Sequence, residues 1–309
     1  MSTALIFPGQ GAQYVGMGKA LAEASPAARA LLVQADQILG LPLGKLMGEG
    51  PEAELTRTDL SQPAILVHSC MALAALREKV GTVSFAATAG LSLGEYSALV
   101  AAGAVEFADA VRLVRLRGEA MQAAAEAVAS GMVALIGPDE ATAQKLCDAS
   151  AEGDVLQVAN LNSPGQVVIS GAKAACDRAV AKAKDFGIRR ALALPVAGAF
   201  HSTLMAPAAT KLQAALAATT FRDPQVPVFA NVTASPVTKA ADIPGLLVRQ
   251  LTSPVRWADC ILALNAAGNT AFLELGPQKQ LSGMLAKTLP ASAGATVRNL
   301  DSPIELAGF

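Results

Sequence analysis

Residues 87–103 read ATAGLSLGEYSALVAAG, which sets one serine, Ser92, between Gly90 and Gly94 in the pattern G-x-S-x-G. Residues 83–90, VSFAATAG, predict a buried strand, and 94–104, GEYSALVAAGA, predict a helix. Strand, sharp turn and helix is the setting that exposes a serine oxygen at a helix N-terminus. The helix dipole and free N–H groups there favour developing negative charge. A glycine-rich turn that merely contains a serine fits the pentapeptide equally well, so it is the strand–helix context that argues for an acyl-serine nucleophile. Whether the acyl group would pass to water or to another acceptor stays open from this stretch alone.

A nucleophilic serine needs a base, and the chain has two histidines. His68, inside ILVHSC on an apolar helix, reads as a core residue. His201 follows a strand and turn in LPVAGAFHS, where an imidazole can project into a cleft. Serine before histidine is the α/β-hydrolase order, which places an acid between them. No acidic residue of that interval has a recognisable triad context, so a Ser–His dyad oriented by a backbone carbonyl or an amide side chain is a serious option. The loop FPGQGAQYVGMG (7–18) fails the dinucleotide pattern at Tyr14 and the Walker pattern at Gln13 and Ala20. At the end of a first strand it can instead supply a backbone N–H to an oxyanion hole, with the amide of Leu93 as the second donor.

Composition narrows the classes. Lys and Arg number 24 against 25 Asp and Glu, and the net charge of −1 excludes a general attraction to nucleic acid or anionic membrane. Arg189-Arg190 is the one local basic candidate, and a solvated pair is its plainer reading. The start, MSTALIF, lacks the basic residues and apolar length of a signal peptide. The uncharged stretch 191–210 contains Pro195, Gly198, His201 and Pro207, which suit a buried strand and turn better than a membrane span. Cys70, Cys147, Cys176 and Cys260 form no CxxC pair, so buried free thiols in a reducing cytoplasm are expected.

Along the chain, TALIF predicts a first strand, and residues 25–39 and 62–79 predict helices, as does 106–128. Residues 131–196 change character: MVALIG, a helix behind Asp139, VLQVANLNS, QVVISG, a helix over 172–187, and RRALALPV. That βαββαβ order predicts a ferredoxin-like insert. PVFANVT (227–233) and TAFLELGP (270–277) predict further strands, and residues 243–251 a helix. The expected fold is α/β: an α/β-hydrolase-like large domain from 1–128 and 197–309, with a parallel sheet and a nucleophile elbow, and an inserted small domain at 129–196.

FPGQGAQ, GLSLGEYSALVAAGA, LVRLRGEAM, NSPGQVVISG, GAFHS, SPVRW and ELGPQKQLSGM together resemble the malonyl-CoA:acyl carrier protein transacylase family, in family order over nearly the whole chain. The acyltransferase domains of polyketide synthases are similar. The resemblance implies Ser92 as nucleophile, His201 as its base, and Gln10 and Leu93 as oxyanion donors through their backbone N–H groups. It implies Arg117 as the partner of the free malonyl carboxylate. Gln250 and Met121 would line the acyl pocket, backbone near Gln250 would orient His201, and Phe200 would limit space at the acyl α-carbon. Asn160 and Asn162 fall in the motif placed at the cleft rim. A guanidinium grips a carboxylate through two parallel hydrogen bonds and disfavours partners lacking it; Arg112 and Arg115, on the same helix, read as a solvated face. The implied substrates are malonyl-CoA and phosphopantetheinylated acyl carrier protein, with no metal or other cofactor, in a cytoplasmic monomer that binds neither nucleic acid nor membrane. A serine esterase or thioesterase, a noncatalytic carrier-binding module and a discrete polyketide acyltransferase are the competing readings.

Overall fold

The computed structural model describes residues 2–309 and holds two sheets. The first runs β10-β9-β1-β2-β7-β8, with β1 (Ser2–Phe7), β2 (Ala87–Gly90), β7 (Val228–Phe229), β8 (Pro236–Val237), β9 (Asn269–Leu275) and β10 (Thr296–Leu300). All its pairings are parallel except β7 with β8. Pairing of Phe7 with Gly90 ends β1 and β2 side by side, so the loops after them leave the same edge of the sheet. Carboxyl ends of neighbouring parallel strands are where α/β folds place their ligands.

The second sheet, order β4-β5-β3-β6, is wholly antiparallel and comprises β3 (Ser130–Ile136), β4 (Leu156–Ser163), β5 (Gln166–Ala172) and β6 (Arg190–Ala193). It has an apolar cluster of its own, drawn from residues 133 to 188. Asp139 starts one of its helices by accepting the Thr142 N–H at 2.8 Å. The second sheet is tied to the first body through Val255, which exchanges backbone hydrogen bonds of 2.9 Å with Ala159 and Leu161 of β4.

Four helices carry the site: α1 (Thr58–Val80), α2 (Gly94–Ala101), α3 (Phe107–Ala127) and α4 (Ile243–Gln250). Among the described residues, α1 alone is long and apolar enough to cross a membrane, and 94% of that window is buried within the protein. It starts at Thr58, earlier than the expected 62, and runs through Pro63. Proline frees the carbonyl four residues back; here that carbonyl, of Asp59, accepts from Arg115 Nη1 at 2.9 Å. Arg115 also pairs with the Asp59 carboxylate and with Glu119, so the expected solvated face is correct for Arg112 and incorrect for Arg115.

Three expected strands are shorter than their apolar runs. β2 starts at Ala87, opposite Ala4 of β1, and upstream of it a single backbone bond, from the Ala86 N–H to the Thr3 carbonyl at 2.8 Å, extends the pairing. β7 stops at Phe229, where a turn closed by the Ala234 N–H on the Ala230 carbonyl reverses the chain into β8. The stretch read as a buried strand at 191–196 is instead the exposed outer edge of the second sheet, with Leu192 53% exposed, since β6 pairs with β3 alone. His68 and all four cysteines are buried, as their apolar settings suggested.

At the turn after β2, a Cβ built on Gly94 would lie 2.1 Å from the Phe7 carbonyl oxygen, and one on Gly90 would lie 1.9 Å from the Gly94 carbonyl carbon. Both contacts are with backbone, which cannot step aside as a flexible side chain would. Gly94→Ala is therefore expected to cost about 1–3 kcal/mol, as overpacking does, read as a lower denaturation midpoint at unchanged slope. An unshifted midpoint would show that the turn is looser than drawn.

Candidate active site

Ser92 occupies the left-handed region at φ 51° and His201 at φ 59°, both uncommon for residues with a Cβ. Ser92 is held there by its own backbone. Its N–H donates to Asn231 Oδ1 at 2.6 Å, and its carbonyl accepts from Gln250 Nε2 at 3.0 Å. Asn231 Nδ2 also donates to the Gly90 carbonyl at 2.7 Å, locking the end of β2.

The Ser92 hydroxyl lies 2.8 Å from His201 Nε2. The other ring nitrogen, Nδ1, is 2.8 Å from the backbone carbonyl of Gln250, which can only accept. That contact puts the proton on Nδ1 and leaves Nε2 free to accept the serine proton. Burial, then the nearby Arg117 cation, push the imidazole down to about 4 against the opposing pull of the Gln250 carbonyl, so it is neutral at pH 7. Among the described residues no carboxylate touches His201. Its orienting group is a peptide carbonyl.

Arg117 is 1% exposed and its Nη2 donates to Ser92 Oγ at 3.1 Å and to Gln250 Oε1 at 2.9 Å. Its Nη1 donates to Gln62 Oε1 at 2.6 Å, while its Nε–H has no protein partner among the described residues. The Tyr96 ring centroid stands 5.6 Å from the guanidinium carbon, within range for a cation–π contact. Burial lowers the affinity of Arg117 for its proton, with Tyr96 and Glu95 acting in the opposite sense. A buried cation whose donors are only partly met disposes the site toward an anion.

The structure thus joins Ser92, His201, Arg117 and Gln250 through direct hydrogen bonds. Leu93 follows Ser92, and its N–H and that of Gln10 meet no acceptor among the described residues. The Gln10 loop lies against the elbow, since a Cβ on Gly9 would stand 2.5 Å from the Leu91 carbonyl oxygen. Met121 is buried and its sulfur accepts from Gln62 Nε2 at 3.4 Å, one side chain away from Arg117. Phe200 is buried beside His201. Asn160 and Asn162 are buried on β4 and make no hydrogen bond to this group, and Asn162 Oδ1 has no partner among the described residues. Arg189 and Arg190 are exposed and pair with no carboxylate among the described residues.

Three residues of the site carried no role in the sequence reading. Gln62 had no signal, being one polar residue at the start of an apolar helix. Glu95 left a faint one, as the only charged residue between Lys79 and Glu106, and both it and Asn231 prove buried. Burial of a polar group implies partners.

Residues 4–302 match the acyl transferase domain family model. The chain belongs to that family. It is 48% identical over 285 residues to the malonyl CoA-acyl carrier protein transacylase of Bacillus subtilis, covering 92% of this chain and 89% of the relative. The solved malonyl CoA-acyl carrier protein transacylase of Coxiella burnetii superposes with a TM-score of 0.95 at 37% identity, over 100% of this chain and 96% of that one. A malonyl-transacylase solved in complex with a type II PKS acyl-carrier protein also superposes at 0.95, with 39% identity over 99% and 98% of the two chains.

The depressed His201 value gives this acyl transferase a pH signature. The rate of Ser92 modification by a fluorophosphonate is expected to stay level from pH 7 downward and to halve only near pH 4, where the imidazole gains its proton. An acid limb centred near the ordinary 6.5 would mean that the imidazole is solvated and not seated as described.

Proposed function

We propose that this acyl transferase moves a malonyl group from malonyl-CoA to the phosphopantetheine thiol of acyl carrier protein, through a malonyl-serine ester at Ser92. The observation that carries the proposal is a buried guanidinium 3.1 Å from the nucleophilic oxygen, beside the base. A neutral acyl chain has no use for that cation, whereas a carboxylate on the acyl group neutralises it.

His201 Nε2 takes the proton from Ser92 Oγ, which attacks the thioester carbonyl carbon. The developing oxyanion is held by the N–H groups of Gln10 and Leu93, each such donor being worth about 10²–10³ in rate. The carbon–sulfur bond breaks, His201 returns the proton to the departing CoA sulfur, and the ester remains. The carrier thiol then gives its proton to His201 and attacks the ester carbonyl, and Ser92 leaves with the proton restored. Gln250 serves twice, its carbonyl seating His201 and its side chain seating Arg117. Arg117 holds the acyl carboxylate in both half-reactions, and Gln62 fixes its far nitrogen. Met121 lines the acyl pocket and Phe200 crowds the α-carbon, favouring malonyl over methylmalonyl by the about 1–3 kcal/mol that one methyl group commands. Asn160 and Asn162 line the cleft rim.

The steps as written call on no metal or redox cofactor. The large body, 1–128 and 197–309, takes the α/β-hydrolase-like form, and 129–196 the ferredoxin-like one; the element order and the β4-β5-β3-β6 strand order support both. We place the enzyme in the cytoplasm, where four buried free thiols stay reduced, as a monomer whose site is complete in one chain. Transfer within polyketide rather than fatty acid synthesis is the second reading, favoured by the likeness to the transacylase bound to a type II PKS carrier.

Incubation with labelled malonyl-CoA is expected to give an ester on Ser92 that moves to added holo carrier protein; label elsewhere, or label lost only to water, defeats the proposal. Arg117→Ala is expected to lower the malonyl-over-acetyl rate ratio by about 10²–10⁴, the worth of two charge-assisted hydrogen bonds. An unchanged ratio removes the carboxylate-binding role.

A further inference from the structure

The polar contacts around Ser92 converge on a residue that takes no part in the steps above. Glu95, in the first turn of α2, is 4% exposed. Its Oε2 accepts the Asn231 backbone N–H at 3.0 Å and Gln250 Nε2 at 2.7 Å. The Asn231 and Gln250 side chains hold the Ser92 backbone, and Gln250 also holds Arg117 and His201.

A side-chain amide has two orientations, related by a flip. Glu95 Oε2 and the Ser92 carbonyl are both acceptors, so together they draw Nε2 toward themselves. The amide oxygen is thereby aimed at Arg117, the one direction in which it can accept from Nη2. A flipped amide would set N–H groups against the guanidinium and strand three polar partners in a buried site. Resting on the carboxylate-binding role of Arg117, we propose that Glu95 is the positioning residue for acyl selectivity: by fixing the Gln250 amide in one orientation, it seats Arg117 for a carboxylated acyl group.

What the geometry requires of Glu95 is an acceptor oxygen. Burial pushes its carboxyl up to about 7, against the pull of Asn231, Gln250 and Arg117, so both protonation states occur near neutrality. Each state offers an oxygen to the two donors. A glutamine at this position does the same.

The test is the ratio of malonyl to acetyl transfer, measured per Ser92 site counted by burst labelling, so that loss of folded enzyme does not enter. Glu95→Ala is expected to lower the ratio by about 10–100-fold, the loss of one hydrogen bond to a charged group. Glu95→Met, close in size and without an acceptor, carries the same expectation if the alanine variant folds poorly. Glu95→Gln is expected to rescue the ratio to within about threefold of wild type, equivalent to about 0.7 kcal/mol. A ratio per labelled site that holds in Glu95→Ala and Glu95→Met, while Arg117→Ala destroys it, overturns the role of Glu95 alone. A ratio that survives Arg117→Ala overturns the carboxylate reading and this proposal with it. Failure of glutamine to rescue also overturns the proposal, since charge and not acceptor geometry would then be what Glu95 supplies.

Discussion

Between the end of β1 and the start of α2 there is no room for a side chain: a Cβ on Gly94 would sit 2.1 Å from the Phe7 carbonyl oxygen. That approach brings the helix N-terminus down onto the strand ends and forces the intervening residue, Ser92, into the left-handed region. The strain of order 1–3 kcal/mol in such a residue persists only where surrounding structure over-determines it. Here it is met by bonds to both the N–H and the carbonyl of Ser92. The hydroxyl is left pointing at His201 and Arg117.

The groups that hold Ser92 also hold its partners. Gln250 spends its carbonyl on His201, its amide oxygen on Arg117 and its amide nitrogen on Ser92 and Glu95. One residue at the end of α4 therefore sets His201, Arg117 and Ser92 in a common frame. Buried polar networks of this kind are costly when one member is missing, because each orphaned group keeps its desolvation penalty. The Gln250 peptide carbonyl orients the His201 imidazole, and among the described residues no carboxylate lies against that ring. The same burial keeps His201 neutral and ready to accept a proton.

Much of the architecture was legible in local pattern. G-x-S-x-G between a strand run and a helix run located the elbow, because close backbone approach leaves a glycine signature. The alternation of strands and helices over 131–196 matched the second sheet, because each of its elements packs on neighbours within the same segment. The errors share a cause as well. VSFAATAG, PVFANVT and RRALALPV are apolar runs of strand length, but how many of their residues join a sheet, and on which face they are covered, depends on partner strands far away in the chain. Arg115 looked solvated because nothing nearby in the sequence reveals that Pro63 leaves the Asp59 carbonyl in need of a donor.

Ser92, His201, Arg117 and Gln250 stood in the sequence as residue types in suggestive motifs, and the two glycines around Ser92 already dictated the turn. Those are local properties, since backbone clearance and helix capping act over a few residues. That the four meet, that a carbonyl replaces the acid, and that Glu95, Asn231 and Gln62 brace them was decided by tertiary structure alone. Contacts spanning 25 to 158 residues of chain depend on how helices seat against strand ends. No spacing along the sequence encodes that packing.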